Sequence, residues 1–577
     1  MEIKKKDRLI DTLIFISCFV LLCYIYGRNI NKVSTVWELG DEAGYLSNTA
    51  FFLGYNWDSV RAVLPYFGYG YSLILVPSFI FSDNGIQLVQ GACFTNLLCI
   101  LGIFVCLNIL GKKILGSCNR KILYYTSLMI CLMPYLSTNI YKVVCEVFLS
   151  LWYLIMALVL YWSLKKNKTY CYICLGLVTT FIFFIHTRAI VVVAVMILVV
   201  LMANILSKRV SLKSLIAMAI SMIVLFVILY AIKHSIISSK YEIVENIQEI
   251  STNNLITIDY IKERIFWLLN KDNIEIYFLS FMAKVFYIIV ASGGIIIWGI
   301  KDLVSDIINE REKILINRGT ETEFTKLFLL LSAVFMIIIC TINGAGMSEN
   351  FTYFFYSRYY EYVIIPIVFL ALNSLVNKDF KYKTSVVLTI VALLAGMFTA
   401  NIQNYLHSNE IHMDTSRIPS FSLAIKHCNS YKELIYFLTI ICCISGVMYI
   451  LIRNNKITKF LILFFISCML LATSNTNLDI IFTVNDKALK DSEIALYISE
   501  QENVKKIYML DEDYVYDYFY SRMQVLVKDK KIEVIDPLKY EDIEQGSYIL
   551  RYSNVEENET IDCKLLMEGN AFNLYQR

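Results

Sequence analysis

Residues 38–58 are Glu-Leu-Gly-Asp-Glu-Ala-Gly-Tyr-Leu-Ser-Asn-Thr-Ala-Phe-Phe-Leu-Gly-Tyr-Asn-Trp-Asp. Two adjacent carboxylates, Asp41 and Glu42, stand where the first long apolar run of the chain ends, and aromatic side chains follow them. This pattern is typical of a helix that lies in the membrane interface. The pair is a candidate general base. The alternative is that Asp41 caps the helix and Glu42 stabilises its N-terminal dipole.

The chain as a whole is too apolar for a soluble protein. Its 577 residues are 57% hydrophobic and only 18% charged, whereas soluble domains carry about 25% charged residues. A bilayer-crossing helix needs about 20 apolar residues. Thirteen such runs occur, near residues 9–26, 86–110, 121–138, 143–164, 170–186, 189–206, 212–232, 277–300, 326–342, 361–376, 384–401, 434–452 and 459–472. This predicts a polytopic all-α membrane protein with about 13 transmembrane helices.

The charges divide the chain into two parts. Residues 473–577 contain 21 acidic and 12 basic residues, a net charge of −9, and because the whole chain is +3, residues 1–472 carry +12. We therefore expect a membrane domain over 1–472 and a small soluble α/β domain over 473–577. Its helix is predicted at 488–502 and its strands at 504–510, 531–535, 547–552 and 565–575. The cluster Asp511-Glu512-Asp513 resembles a DxD metal motif, or else is a solvated loop after a strand.

The orientation depends on the short apolar stretch Tyr71–Phe81, which contains Pro77 and is too short for a span. If it does not cross, every strongly basic connection lies on the side of the N-terminus, which is then cytoplasmic. With an odd number of spans the C-terminal domain lies outside the cytoplasmic membrane. Residues 27–85 then form the first external loop.

Three further charged residues fall on the predicted outer face. Arg188 and Arg358 lie at outer ends of spans beside aromatic residues, where an arginine is either snorkelling or a clamp for a phosphate. Glu146 lies one turn into the fourth span and either pairs with Lys142 or positions an acceptor or a metal. Lys284, inside the eighth span, is an intramembrane charge and a further candidate.

The motif Asp41-Glu42-Ala43-Gly44-Tyr45 resembles the start of the first external loop in GT-C glycosyltransferases, in particular the protein-mannosyltransferase and aminoarabinose-transferase-like group. Tyr71–Phe81 falls where those enzymes carry juxtamembrane helices. Glu146 matches an acidic residue at the outer start of their fourth span, and Arg358-Tyr359 matches a late Arg-Tyr motif. The chain departs from the group at Tyr69–Ser72, where Lys-Pro-Pro-Leu is usual.

The resemblance implies an inverting transfer of a sugar from a polyprenyl-phosphate carrier to an acceptor on the outer face of the membrane. The acceptor would be a glycan, a glycolipid or a protein, and no nucleic acid is involved. No cofactor is implied with certainty, and a divalent metal is left open. The site residues it implies are Asp41 as the base with Glu42 beside it, and Tyr45, Glu146, Arg188, Arg358 and Tyr359 for substrate binding.

Two other classes of function remain. The first is a transporter or flippase of lipid-linked sugars or polysaccharide precursors, which tends to have broken helices and ionisable residues at the membrane midplane. Here only Pro134 and Pro366 lie within predicted spans. The second is a membrane scaffold, which would give the Asp41-Glu42 pair no role.

The predicted orientation can be tested by labelling from outside the cell. In a background without native cysteines, a cysteine at position 500 should react with a membrane-impermeant maleimide, because it lies in the external domain. A cysteine at position 166 should not react, because its loop is cytoplasmic. The opposite labelling pattern would overturn the topology.

Overall fold

The fold is that of a computed structural model. The structure describes residues 2–37, 39–57, 60, 68–116, 119–241, 262, 266, 270–309, 320–345, 351–377, 382–405, 417–451, 456–501, 503–504, 506–510, 519–553 and 563–577. The acidic cluster at 511–513 lies outside the described residues. Within them, apolar side chains of the helical body form one large core, and the C-terminal domain has its own smaller cores.

The described part of the chain is mostly α-helical. Its helices are α1 (Glu2–Ile30), α2 (Leu39–Phe52), α3 (Tyr69–Ile74), α4 (Val76–Ile80), α5 (Gly85–Ile114), α6 (Arg120–Cys131), α7 (Pro134–Asn139), α8 (Glu146–Lys166), α9 (Thr169–Ile185), α10 (Ile190–Ile205), α11 (Leu212–Tyr241), α12 (Lys271–Ala291), α13 (Ile296–Asn309), α14 (Glu321–Ala345), α15 (Phe351–Phe355), α16 (Glu361–Asn377), α17 (Tyr382–Ala400), α18 (Ser422–Ile425), α19 (Tyr431–Leu451), α20 (Lys456–Lys487), α21 (Leu489–Glu500) and α22 (Phe519–Leu526).

Among the described residues, ten helices are long and apolar enough to cross a membrane, or up to eleven if the bent pair α15–α16 is counted as one span. The chain is therefore a multi-pass membrane protein. The count is lower than the thirteen runs because two of them form shorter helices and a third, 361–376, is the 17-residue helix α16, which is counted only together with α15. The run 170–186 is a helix of 17 residues, and the run 121–138 is divided before Pro134, which starts the new helix α7.

The run predicted over 277–300 is also broken within its length. Helix α12 ends at Ala291, and α13 begins at Ile296. Gly293 and Gly294 lie between them with φ angles of 57° and 84°. Glycine adopts this left-handed conformation without the steric cost of a Cβ atom, so the break is encoded locally.

The stretch Tyr71–Phe81 forms two short helices, α3 and α4, of six and five residues. Neither is long enough to span a bilayer. Helix α3 packs against α2, and the Thr49 hydroxyl donates a hydrogen bond to the Ser72 carbonyl at 2.9 Å. The predicted interfacial helix after residue 38 is α2, which carries Asp41 in its first turn and packs against α3.

The C-terminal domain is built on a mixed five-stranded sheet. Its strands are β1 (Lys506–Leu510), β2 (Lys531–Ile535), β3 (Tyr548–Tyr552), β4 (Lys564–Glu568) and β5 (Phe572–Gln576), in the order β2-β1-β3-β5-β4. β1 pairs in parallel with β2 and β3, whereas β5 is antiparallel to β3 and β4. The single run predicted over 565–575 is therefore a hairpin, and helix α22 was not predicted. Helix α20 continues past residue 472 to Lys487.

Candidate functional site

Asp41 and Glu42 both lie in the first turn of α2, where carboxylates interact favourably with the helix dipole. Their side chains nevertheless point to different partners. Asp41 Oδ2 lies 2.6 Å from Arg358 Nη1, and 31% of the Asp41 side chain is exposed. Asp41 is thus an accessible carboxylate that reaches across the fold to a residue more than three hundred positions away.

Glu42 is buried, and its carboxylate accepts hydrogen bonds from backbone N–H groups. One of its carboxylate oxygens accepts a hydrogen bond from the Val143 N–H at 2.5 Å. The other accepts from the Trp37 N–H. Hydrogen bonds from N–H groups to a buried carboxylate are charge-assisted and strong, so Glu42 ties the start of α2 to the loop that leads into α8.

Glu146 is the centre of the site. Its side chain is fully buried, and its Oε1 lies 2.5 Å from Arg358 Nε and 2.9 Å from Arg188 Nη2. The carboxylate therefore joins three segments: the start of α8, the turn before α10 and the turn before α16. The sequence offered Lys142 as an alternative partner of Glu146, but the described residues show no ion pair between the two. Lys142 Nζ lies 4.0 Å from the centroid of the Trp37 ring.

Arg188 is held in the 3-10 turn Thr187–Ala189, and its backbone N–H donates to His186 Nδ1 at 3.2 Å. Its guanidinium lies 4.8 Å from the centroid of the Tyr359 ring. The side chain is only 9% exposed, yet its Nε and Nη1 have no hydrogen-bond partner among the described residues. Within the described ranges, two buried guanidinium donors of Arg188 are thus left without a partner, and such donors can bind an anion.

Arg358 is placed by a sharp bend between α15 and α16, whose axes differ by 75°. Tyr356 at this bend has a φ of 21°, a left-handed conformation that is strained for a residue with a side chain. The Ser357 N–H and hydroxyl both donate to the Arg417 carbonyl, at 3.0 and 2.9 Å. The bend directs Arg358 and the Tyr359 ring toward Glu146 and Arg188 respectively.

Tyr45 is fully buried next to Tyr71 and Cys145. Its ring lies 5.1 Å from that of Tyr71, in an edge-to-face arrangement, and its hydroxyl contacts Cys145 Sγ at 2.9 Å. Burial, together with the Cys145 thiol, raises the pKa of the Tyr45 phenol well above its ordinary value. The phenol is therefore a neutral group that supports the first turn of α2.

Two further residues contribute to the site: Lys284, already a candidate from the sequence, and Tyr135, which the sequence did not single out. Lys284, which was singled out only as an intramembrane charge, donates from Nζ to the Phe354 carbonyl at 2.7 Å and so supports the bend before Arg358. Tyr135 is fully buried near Glu146 and Arg188, and its hydroxyl has no partner among the described residues. Its position after a proline inside an apolar run is the one local signal that marks it.

Metal ligands are not clustered in this part of the molecule. Within the ranges that the structure describes, no group of three or more His, Cys, Asp or Glu residues is placed to hold an ion. The polar chemistry of the site consists of two arginines and the carboxylates that contact them.

The role of Glu146 as a shared counter-ion can be measured as stability. The change Glu146→Ala removes the carboxylate that two buried guanidiniums share. Removing one partner of a buried ion pair lowers the free energy of unfolding by about 3–5 kcal/mol. We expect a clear fall in the unfolding temperature of the purified protein. The control is Glu493→Ala, which removes an exposed carboxylate and should change stability by less than about 0.5 kcal/mol. Equal effects of the two changes would contradict this account.

No family model matches the sequence, and no curated protein matches it either. Solved structures do match the fold. ArnT from Cupriavidus metallidurans bound to undecaprenyl phosphate has a TM-score of 0.52 and 11% identity, covering 98% of this chain and 97% of that one. The Archaeoglobus fulgidus oligosaccharyltransferase in the apo form has a TM-score of 0.44 and 9% identity, over 94% and 69% of the two chains. Arabinosyltransferase EmbB from Mycobacterium smegmatis has a TM-score of 0.39 and 11% identity, over 82% and 42%.

The match to ArnT extends over nearly the full length of both chains and so includes the membrane body and the C-terminal domain. At 11% identity, the match shows that the folds are similar but does not pair individual residues of the two chains. On this basis the chain has the fold seen in ArnT, a GT-C-like helical membrane fold with a small C-terminal sheet domain.

Proposed function

We propose that the protein is a membrane glycosyltransferase that moves a sugar from a polyprenyl-phosphate carrier to an acceptor hydroxyl at the outer face of the cytoplasmic membrane. One observation carries this proposal: a partly exposed carboxylate, Asp41, contacts Arg358, which shares the buried counter-ion Glu146 with Arg188. A base beside an anion-binding pair is what a displacement at a sugar phosphate requires.

Asp41 is the proposed general base. It is the more accessible of the two adjacent carboxylates, since Glu42 is 1% exposed and its oxygens accept backbone N–H groups. In the reaction, the acceptor oxygen attacks the anomeric carbon and its proton passes to the Asp41 carboxylate. The bond between the anomeric carbon and the phosphate oxygen breaks, and a single displacement inverts the configuration.

Arg188 and Arg358 are the proposed binding groups for the leaving phosphate. Negative charge develops on this phosphate as the glycosidic bond breaks, and guanidiniums that are already in place stabilise it without reorganisation. Arg188 offers its Nε and Nη1 donors, which have no partner in the described part of the chain. The Tyr359 ring, 4.8 Å from this guanidinium, keeps its plane fixed.

Arg358 also links binding to chemistry. Its Nη1 contacts Asp41 while its Nε contacts Glu146. A donor phosphate that takes the Nη1 position displaces the Asp41 carboxylate, which is then free to accept the acceptor proton. Glu146 keeps both guanidiniums in place during this exchange, and Glu42 and Tyr45 hold α2. These last three residues act by positioning the groups that react.

The membrane setting supports a lipid-linked donor. The site lies at the ends of apolar helices, so a prenyl chain can stay in lipid while its phosphate reaches the arginines. ArnT, one of the proteins of similar fold, was crystallised with undecaprenyl phosphate. The acceptor is proposed to be a glycan, a glycolipid or a protein. A requirement for a divalent cation remains a separate proposal that a chelator would test in the same assay.

The assignment of the base is tested with Asp41→Asn, which keeps the shape of the side chain but cannot take a proton. The assay supplies the purified protein with polyprenyl-phosphate sugars and follows release of the lipid phosphate. We expect turnover to fall by about a hundred- to ten-thousandfold, with binding of the lipid donor retained or strengthened, because Arg358 loses a competing carboxylate. The control, Asp306→Asn, breaks an ion pair of similar exposure with Lys326 and should retain activity. Full activity of Asp41→Asn would refute this role.

The phosphate clamp is tested with Arg188→Lys, which keeps the charge but offers one point of contact in place of a planar fork. A hydrogen bond to a charged group is worth about 1.5–3 kcal/mol, so affinity for polyprenyl phosphate should fall by roughly ten- to a hundredfold. The same change at Arg209, which pairs with Glu321 at 2.8 Å, is the control. If both variants bind the lipid phosphate like the wild type, Arg188 is not part of the clamp.

A further inference from the structure

The C-terminal domain is attached to the membrane body on both sides of helix α2, the helix that carries Asp41. On the N-terminal side, Asn485 Oδ1 accepts hydrogen bonds from the Ser34 N–H at 2.8 Å and the Thr35 N–H at 3.1 Å. The Ser492 hydroxyl donates to the Ser34 carbonyl at 3.3 Å. The segment that enters α2 is therefore held by the last turns of α20 and the first turn of α21.

On the C-terminal side the attachment is made by Lys528, which follows α22. Its Nζ donates to the Phe79 carbonyl at 3.0 Å and to the Ser82 carbonyl at 2.6 Å. Its own carbonyl accepts a hydrogen bond from Trp57 Nε1 at 2.8 Å. A single residue thus holds two segments of the first external loop, the one after α2 and the one after α4.

The environment of Lys528 is unusual for a lysine. Only 5% of its side chain is exposed, although a buried ammonium is costly unless it is paired. Its carboxylate neighbour, Asp529, is 3.9 Å away and largely exposed, so the two carbonyls are its close partners. Its φ of 29° is left-handed, a conformation that a non-glycine residue adopts only when the surroundings enforce it.

The backbones of the two parts also meet directly. Gly85 begins α5, and a Cβ atom added there would lie 2.3 Å from Leu526 Cα and from the Val525 carbonyl oxygen. The end of α22 is therefore seated on the start of α5 at a distance that only glycine permits. Helix α22 packs against α2 as well.

We propose that the C-terminal domain is a positioning domain for the active site, in which Lys528 is the main positioning residue. By holding the loop on both sides of α2, the domain fixes the first turn of that helix and places Asp41 opposite Arg358. The effect on catalysis rests on the function proposed above for Asp41. The mechanical link, by which we mean the attachment of α2 to the C-terminal domain, does not depend on that function. Small displacements of a catalytic group cost large factors in rate.

The test compares full-length variants in lipid nanodiscs by two measurements. Lys528→Met removes the donor to the two carbonyls, and Trp57→Phe removes only the indole donor while keeping the ring. The matched control is Lys530→Met, because Lys530 Nζ donates at 2.7 Å to the Gln501 carbonyl within the C-terminal domain itself. Lys528→Arg is the conservative variant.

The first measurement is amide hydrogen exchange over residues 39–52. Lys528→Met should accelerate exchange there by at least about tenfold, Trp57→Phe should accelerate it less, and Lys530→Met should leave it as in the wild type. Unchanged exchange in both Lys528→Met and Trp57→Phe would overturn the proposal. So would equal acceleration by Lys530→Met, since that would reflect general loosening of the domain. If Lys528→Met does not fold, Trp57→Phe decides alone.

The second measurement is turnover in the polyprenyl phosphate assay. Lys528→Met should lower kcat by about tenfold or more with KM for the donor unchanged within about twofold, and Lys528→Arg should restore most of it. Normal kcat in a variant with accelerated exchange would overturn the positioning role. If the wild type transfers no sugar while the exchange result holds, the proposed function fails and the mechanical link stands.

Discussion

The carboxylate of Glu146, shared by Arg188 and Arg358, is the interaction on which the arrangement of the site depends. Three charges are buried where water cannot solvate them, and such groups are tolerated only when they are paired with good geometry. Because the three residues come from separate segments, the pairing also fixes how those segments meet. The bend before α16 and the turn before α10 can be stable only in positions that bring both guanidiniums to this carboxylate.

The accessible chemistry follows from that constraint. Glu146 contacts both arginines, and Asp41, which is partly exposed, contacts Arg358 at Nη1. The Glu146 contacts are thus buried, whereas the Asp41 contact is partly exposed, and it is the contact at which the proposed mechanism exchanges a carboxylate for a phosphate. Helix α2 supplies the exchangeable carboxylate, which is why its attachment through Glu42 and through the C-terminal domain bears on function.

Much of the architecture follows from local properties of the chain. The apolar runs, the non-crossing stretch Tyr71–Phe81 and a small α/β domain at the end were all predicted, because bilayer thickness and strand periodicity leave direct patterns. The errors lie where the patterns are interrupted. Pro134 divides one predicted span, and Gly293 and Gly294 interrupt another. The run 565–575, predicted as one strand, is a hairpin of two. Helix α22 was not predicted. It is a short helix that packs against α2 and α5, which lie far away in the sequence.

The sequence by itself determined that the chain is embedded in lipid, where its helices are, and that Asp41, Arg188 and Arg358 are candidates, since an ionisable residue beside an apolar run is rare enough to be noticed. Only the tertiary structure decided what each candidate does. Glu146 contacts two arginines and not Lys142, Glu42 accepts backbone N–H groups, and Lys528 donates to the carbonyls of Phe79 and Ser82. Partner choice between buried charges depends on distances across the fold, and residues separated by hundreds of positions leave no local pattern that records them.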